Sequence, residues 1–368
     1  MSSIHIVLLA ALAFGSQPPQ PAAPKEALDG VDPVILLTQG KEVSGKADLK
    51  VVRAKFQYLF ATPESKAIFE KSPEKYEIQL SGACARMGGG VTGNPADYAV
   101  VDGKIYIFGS DDCHKKFVAA PARFLPKPAP PMPSGPAAEA QGRSLVERAV
   151  KAIGGAEKLD ALTTYIESSS QIQKRPAGDA AIAVKTMWRF PGGVRAERTT
   201  TLGDRTQSSA NLLTPAGGWF LAQGRSFPQS PESIAQAEAI FNRQLVPLLR
   251  ARRDTDFKAA AVRGGIEDGV PVDRVRIQLR GLDVTLAIEK SGLVHSLSFT
   301  GRGFESEIGS YVLSLGDYRG VSGLRLPFSE RALFNGAPDP LLTRTIDAIA
   351  VNTPLDPALF QPVSGGGL

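Results

Sequence analysis

The sequence predicts an α+β protein in two parts. A small duplicated strand–helix domain is followed by an antiparallel curved β-sheet, a half-barrel, with one long covering helix. Three observations carry this expectation. A stretch rich in Pro, Ala and Gly, residues 126–142, divides the chain without any apolar periodicity. Ahead of it, one aromatic pattern occurs twice at a constant spacing. Beyond it, short alternating strand patterns dominate, interrupted by a single long helical pattern.

Length and composition set the frame. The 368 residues suffice for two domains of ordinary size. Apolar content of 43% and charged content of 21% are values of a folded chain. The net charge of +5 is spread along the sequence, which argues against nucleic acid as a partner, because that would need a concentrated basic stripe. Arg250, Arg252 and Arg253 are the densest basic cluster, and they close a predicted helix, where cations favour the dipole. Residues 1–15 read as a signal peptide: Ile4 to Phe14 is apolar apart from His5, and Ala13-Phe14-Gly15 resembles a cleavage site. The run is far shorter than the ~20 residues of a membrane span, and no second long apolar run follows. A periplasmic or secreted protein, not an integral membrane protein, is therefore expected. Residues 16–26 are expected to form a flexible leader.

The first domain is expected over residues 27–125. Tyr58, Phe60, Phe69, Pro73 and Tyr76 align with Tyr106, Phe108, Phe117, Pro121 and Phe124, each 48 positions on. Each copy reads as an aromatic strand and a polar turn supplying a helix N-cap (Thr62; Ser110 or Asp111). A short helix follows, stopped by proline, and then a closing aromatic. Two such units can share one small core that neither builds alone.

This arrangement resembles the YHS domain family, a small module often described as metal-associated. The residues that carry the resemblance are Gly30-Val31-Asp32-Pro33-Val34, Tyr58-Leu59-Phe60-Ala61, Phe69, Pro73-Glu74-Lys75-Tyr76, Gly82-Ala83-Cys84-Ala85 and Val101-Asp102-Gly103-Lys104-Ile105-Tyr106. Phe108-Gly109-Ser110, Cys113 and Phe117 add to it in the second copy. Metal-binding relatives tend to carry a cysteine directly after the Phe of the second strand, where this chain has Gly109. In the first copy Ser65 and Lys66 stand where Cys113 and His114 stand in the second. The resemblance thus implies that only the second copy could hold a metal.

Beyond the linker the second domain is expected over residues 143–363, with 364–368 as a flexible tail. Ser144 to Ile153 is an amphipathic helix ended by Gly154-Gly155. Short strands follow over 164–173, 183–190, 193–201, 207–213 and 218–222. Pro231 to Arg253 reads as one long helix kinked at Pro247, with Ile234, Ala237, Ile240, Phe241, Leu245 and Leu248 on its apolar face. Strands resume over 273–280, 284–289, 293–300, 305–318, 324–334 and 341–351. The pattern resembles the periplasmic lipoprotein-carrier fold (LolA-type, outer-membrane lipoprotein-sorting). The carrying residues are 150–159, 316–327 and 351–360. The resemblance implies a container for a lipid, a lipidated protein or another apolar ligand, with Trp188, Trp219, Phe220 and Phe241 as candidate cavity residues.

Specific chemistry is expected in Cys84 to Phe124, which holds both cysteines. Cys84, Cys113, His114 and Met87 are the candidate soft or imidazole ligands for copper or zinc. The competing reading is a Cys84–Cys113 disulfide, usual for two cysteines of an exported chain. Asp111 and Asp112 read as helix caps in preference to hard oxygen ligands of a metal, and His114 as a solvated surface histidine. Met87 to Gly93 is Gly-rich but lacks a following G-K-[ST], so it reads as a flexible turn and not a phosphate loop. His295 lies in a strand pattern facing solvent or the cavity. No G-x-S-x-G elbow occurs. The expected function is that of an exported, non-enzymatic binding protein. The alternative is an envelope thiol/redox or metal-dependent enzyme using Cys84 and Cys113.

Overall fold

The computed structural model describes residues 23–175, 178–340 and 342–363. The expected signal peptide, most of the leader and the tail lie outside the described residues. The chain divides into two compact units. One runs to Ile78 and includes Asp102–Ile105; the other comprises Gln79–Val101 and Tyr106–Leu368. The division therefore falls elsewhere than the expected boundary at Leu125, and the second copy of the repeat groups with the large sheet.

In the first unit, β1 (Lys25–Glu26), β2 (Lys46–Arg53) and β3 (Phe56–Phe60) form a sheet in the order β1-β3-β2. The leader residues Lys25 and Glu26 are thus a strand, parallel to β3, because Phe56 and Gln57 offer them an open edge. Helix α1 (Pro33–Gln39) starts at Asp32, whose carboxylate accepts from the Val34 and Ile35 amides. Helix α2 (Pro63–Lys71) starts at Thr62 with a reciprocal Ser65 contact, and α3 (Pro73–Tyr76) follows the proline stop. Tyr58 and Phe60 pack on Phe69 with ring centroids 4.9 and 5.1 Å apart.

The second copy of the repeat has the same grouping. A short sheet has the order β5-β4-β7-β6, from β4 (Ala83–Cys84), β5 (Gly88–Thr92), β6 (Asn94–Val101) and β7 (Lys104–Phe108). Helix α4 (Asp111–Ala119) is capped by Ser110, and Tyr106 and Phe108 pack on Phe117 at 5.2 and 5.3 Å. The duplication read at a spacing of 48 is therefore structural. It extends further at a spacing of 52. The 3₁₀ turn Leu28–Gly30, with Leu28 and Asp29 at φ 56° and 51°, matches Leu80–Gly82, with Leu80 and Ser81 at 54° and 50°.

The predicted linker is shorter than 126–142. Helix α5 (Pro136–Ala152) begins inside it, and the Arg276 guanidinium donates to the Pro131 carbonyl at 3.1 Å, holding the remaining stretch to the sheet. After α6 (Ala156–Asp160) the chain runs through β8 (Thr164–Arg175), β9 (Gly178–Arg189), β10 (Gly193–Leu202), β11 (Arg205–Thr214), β12 (Gly217–Ala222) and β13 (Arg225–Pro228). The predicted long helix is two: α7 (Pro231–Asn242) and α8 (Leu245–Arg250). The break lies at Arg243-Gln244 and not at Pro247 itself, because a proline ring clashes with the carbonyl four residues earlier. The chain then continues through β14 (Lys258–Glu267), β15 (Val270–Leu279), β16 (Leu282–Glu289), β17 (Val294–Arg302), β18 (Ile308–Val321), β19 (Leu324–Phe334), β20 (Ala337–Pro338) and β21 (Arg344–Val351). Strand β14 was not legible in advance: its three alanines and paired glycines carry little strand preference.

These strands make one open, curved antiparallel sheet, ordered β13-β12-β11-β10-β9-β8-β21-β19-β18-β17-β16-β15-β14, with β20 beside β19. Helices α5, α7 and α8 cover its concave face and share one core with it, including Leu145, Val146, Leu248, Leu286, Leu297 and Leu326. The opposite face carries a smaller cluster of Met187, Leu212, Leu221 and Phe360. The basic cluster is tied down: Arg252 and Arg253 pair with Asp160 at 2.7 Å, and Arg250 stacks on Phe190. Among the described residues no helix is long and apolar enough to cross a membrane.

Helix α5 lies against β14 so closely that a Cβ at Gly142 would stand 2.6 Å from the Ala260 Cα. Gly142→Ala should therefore lower stability by about 1–3 kcal/mol despite alanine's better helix propensity. Urea denaturation followed by tryptophan fluorescence checks the sign; a stabilised variant would show that the helix shifts freely.

Candidate functional site

Two places in the second unit gather side chains of chemical interest. The first is a cavity of about 220 Å³ between the concave face and α7. Strand alternation sets its floor. Gln171 pairs with Ile182 and Ser169 with Val184, and Glu167, Thr186 and Ala196 stand in one row across β8, β9 and β10. Phe241, Arg243 and Gln244 close it from above, at the break between α7 and α8. A neighbouring groove of about 460 Å³ shares Trp188 and Phe241 with the cavity, so these two side chains are the partition between them.

Of the four expected cavity residues, the structure thus brings Trp188 and Phe241 together. Trp219 instead packs toward the opposite-face cluster of Met187 and Leu212. Phe220 lines a separate open groove of about 870 Å³ along β10–β12. Consecutive residues of a strand point to opposite faces, so Trp219 and Phe220 cannot share one lining.

Beside the cavity lies an ion network absent from the sequence reading. Arg344 pairs with Glu167 and with Glu330, each at 2.7 Å, and donates to Gln244 at 3.0 Å. Tyr165 donates to Glu167 at 2.8 Å. Burial pushes the Glu167 carboxyl up; Arg344 opposes this and Glu330 adds to it. Desolvation works against the Arg344 charge, but the two glutamates more than offset it and hold the guanidinium above its ordinary value. Arg243 has a different environment. Burial pushes it down to about 10, its guanidinium lies 3.9 Å from the Phe299 ring centroid, and its Nε has no hydrogen-bond partner.

The second place is the thiol pair. Cys84 ends the short strand β4, and Cys113 is the third residue of α4. Both are buried free thiols, hydrogen-bonded to one another. Arg86 donates to the Cys113 sulfur at 3.9 Å and to the Met87 sulfur at 3.6 Å. Ser306 also donates to Met87, at 3.3 Å. Burial opposes ionisation of Cys113, but hydrogen bonds with Ser110, Arg86 and Cys84 and the Arg86 charge outweigh it, so the thiol lies below its ordinary value. His114 is not part of this group. Its Nδ1 lies 2.5 Å from Asp97 Oδ1 and its ring stacks on Phe108 at 4.4 Å. Asp111 and Asp112 stand in the first turn of α4, and the cap itself is Ser110.

Of the four residues expected to bind copper or zinc, Cys84, Cys113 and Met87 lie together and His114 stands apart on Asp97 and Phe108. Among the described residues no three His, Cys, Asp or Glu side chains could hold a metal ion together. Arg86 at the sulfurs, and Arg302 close to Cys84, make the place electropositive, which disfavours a cation.

Met87 to Gly93 is not a flexible turn. Gly88–Thr92 is strand β5. A Cβ at Gly88 would lie 2.5 Å from the Arg302 Nε, and the Gly89 carbonyl accepts from Ser233 at 2.8 Å. The glycines are there for close approach. His295 is away from the cavity, with Nδ1 3.2 Å from Glu289 and Nε2 3.9 Å from Asp268.

No family model and no curated protein matches the chain. Among solved structures it is similar to an outer membrane lipoprotein-sorting protein domain from Vibrio parahaemolyticus, with 10% identity over 60% of this chain and 97% of that one, TM-score 0.39. A LolA superfamily protein from Nitrosomonas europaea matches at 11% identity over 60% and 97%, TM-score 0.41. A DUF1329 family protein from Desulfovibrio piger matches at 11% over 61% and 97%, TM-score 0.40.

Proposed function

We propose that the second unit is a binding protein whose concave face receives the apolar chain of an amphiphile, a lipid or the lipid part of a modified protein. The observation that carries this reading is the partition. A 220 Å³ cavity and a 460 Å³ groove adjoin, with Trp188 and Phe241 lining both. The groove alone has the size usual for a ligand pocket, roughly 300–1,000 Å³, and joining the cavity to it lengthens it under α7. Movement of Phe241 with α7 would join them, and α7 buries little else: of its twelve residues only Phe241 is buried. The lining is apolar at Ile182, Val184, Trp188 and Leu313, while Arg243 lacks a partner at Nε. A chain in the cavity with an anionic head at Arg243 satisfies both.

The test uses Trp188 as the probe. The protein has two tryptophans, so Trp219→Phe leaves Trp188 alone. A brominated long-chain fatty acid should quench its fluorescence saturably, and Ala196→Trp read by ligand extraction should block binding. Arg243→Met should weaken the carboxylate by about tenfold while leaving the matching long-chain alcohol unchanged. Unquenched Trp188 at saturating ligand would overturn the reading.

A further inference from the structure

The thiol pair calls for an account that neither packing nor the cavity supplies. The duplication identifies what the fold itself requires at these positions. Counted from the 3₁₀ turns, Cys84 occupies the place of Asp32; counted from the aromatic strands, Cys113 occupies the place of Ser65. In the first copy these residues form a hydrogen bond, Ser65 Oγ donating to Asp32 Oδ2 at 2.5 Å. The same two positions touch in both copies. A hydrogen-bonded polar pair satisfies the fold, so thiols are not needed for it.

What surrounds the thiols differs from the first copy. Arg86 reaches the Cys113 sulfur and also pairs with Asp112 at 3.6 Å. Arg302 is close enough to Cys84 to feel its charge. Its guanidinium donates only to carbonyls, those of Arg86 at 2.7 Å, Ser306 at 2.8 Å and Phe124 at 3.3 Å, and among the described residues no carboxylate pairs with it. Cys113 lies in the first turn of α4, where the helix dipole also favours a negative sulfur. Two guanidiniums, one without an acidic partner, stabilise an anion here and repel a metal cation.

We infer that Cys84 and Cys113 are a redox couple that a peroxide converts to a disulfide, with the Cys113 thiolate attacking and the Cys84 thiol resolving. Cys113 is the member that retains some exposure, 6% against 0% for Cys84. In the first step the Cys113 sulfur bonds to one peroxide oxygen as the O–O bond breaks. Hydroxide leaves and takes up a proton as water, and Cys113 becomes a sulfenic acid. In the second step the Cys84 sulfur attacks that sulfur, the S–O bond breaks, and a second water leaves carrying the Cys84 proton. The two thiols lose two electrons and the peroxide gains them. A dithiol returns the pair to the reduced form by exchange.

The experiment uses the full chain, reduced and freed of reductant, and equimolar hydrogen peroxide. Intact mass and alkylation after denaturation should show loss of two hydrogens and of both thiols, reversed by dithiothreitol. In Cys84→Ser, dimedone should trap a sulfenic acid on Cys113. Cys113→Ser, a change the first copy already accommodates as Ser65, should leave Cys84 unoxidised. Arg86→Gln should slow the wild-type reaction by about tenfold or more. Both thiols persisting under peroxide, a dimedone adduct on Cys84 in Cys113→Ser, or isolation of the chain with one copper or zinc held by the sulfurs would each overturn the inference.

Discussion

Arg344→Met should cost the second unit about 3–5 kcal/mol at neutral pH, the largest single-residue effect expected in this protein. Methionine keeps the volume but leaves Glu167 and Glu330 facing one another without the charge that now pairs with each at 2.7 Å. The loss should depend on pH in a defined direction. Burial already pushes the Glu167 carboxyl up, and removal of Arg344 takes away the interaction that opposes this. A carboxyl whose folded value lies above its unfolded value binds protons more readily in the native state. Stability is then greatest below the ordinary glutamate range and falls as pH rises through the raised value. The deficit of Arg344→Met should accordingly be small in acid and grow toward neutrality. Both tryptophans, Trp188 and Trp219, lie in this unit, so fluorescence-detected urea unfolding at acid and neutral pH reads the effect directly. An equal deficit at both would show that the network acts through packing alone.

Asp32→Ala should have the second largest effect, about 3–4 kcal/mol, confined to the first unit. The Asp32 carboxylate is fully buried and accepts four hydrogen bonds, from the amides of Val34, Ile35 and Ala61 and from the Ser65 hydroxyl. It therefore caps α1 and fixes the start of α2 at once. Alanine leaves those donors in a closed interior without a partner. Hydrogen exchange should rise across Leu28 to Tyr76, with the amides of Val34, Ile35 and Ala61 losing protection first. Unchanged exchange at Ala61 would show that water replaces the carboxylate at no cost.

Much of the architecture was legible in residue order because it rests on local signals. The repeat was visible because aromatic core positions, N-caps and proline stops recur at one spacing, and the structure places Phe69 and Phe117 in equivalent cores. Most strands of the large sheet announced themselves by alternation and by turn residues. The two places of chemical interest were less legible. Glu167, Glu330 and Arg344 come together only through the pairing of β8 with β21 and of β21 with β19, which no local pattern encodes. A signal did exist: Glu167 falls on the inward row of β8 between Tyr165 and Ser169, where an unpaired acid would be costly. Arg243 was hidden by the assumption of a continuous helix. Had Pro247 been read as forbidding the carbonyl at Arg243, the break would have been placed correctly. The equivalence of Cys84 with Asp32 was missed because the spacing changes from 52 to 48 between the turn and the strand of each copy.

The strand order of the large sheet has a kinetic meaning. From β8 to β13, and from β14 to β19, every strand pairs with its neighbour in sequence, so either half can zip up by hairpin extension. The seam is where Tyr165 of β8 meets Val351 of β21, the first and last strands of the large sheet in chain order. Closure of that seam pairs the strands farthest apart in sequence, the contact of this sheet with the largest loop-closure cost, and it should therefore form after the hairpins.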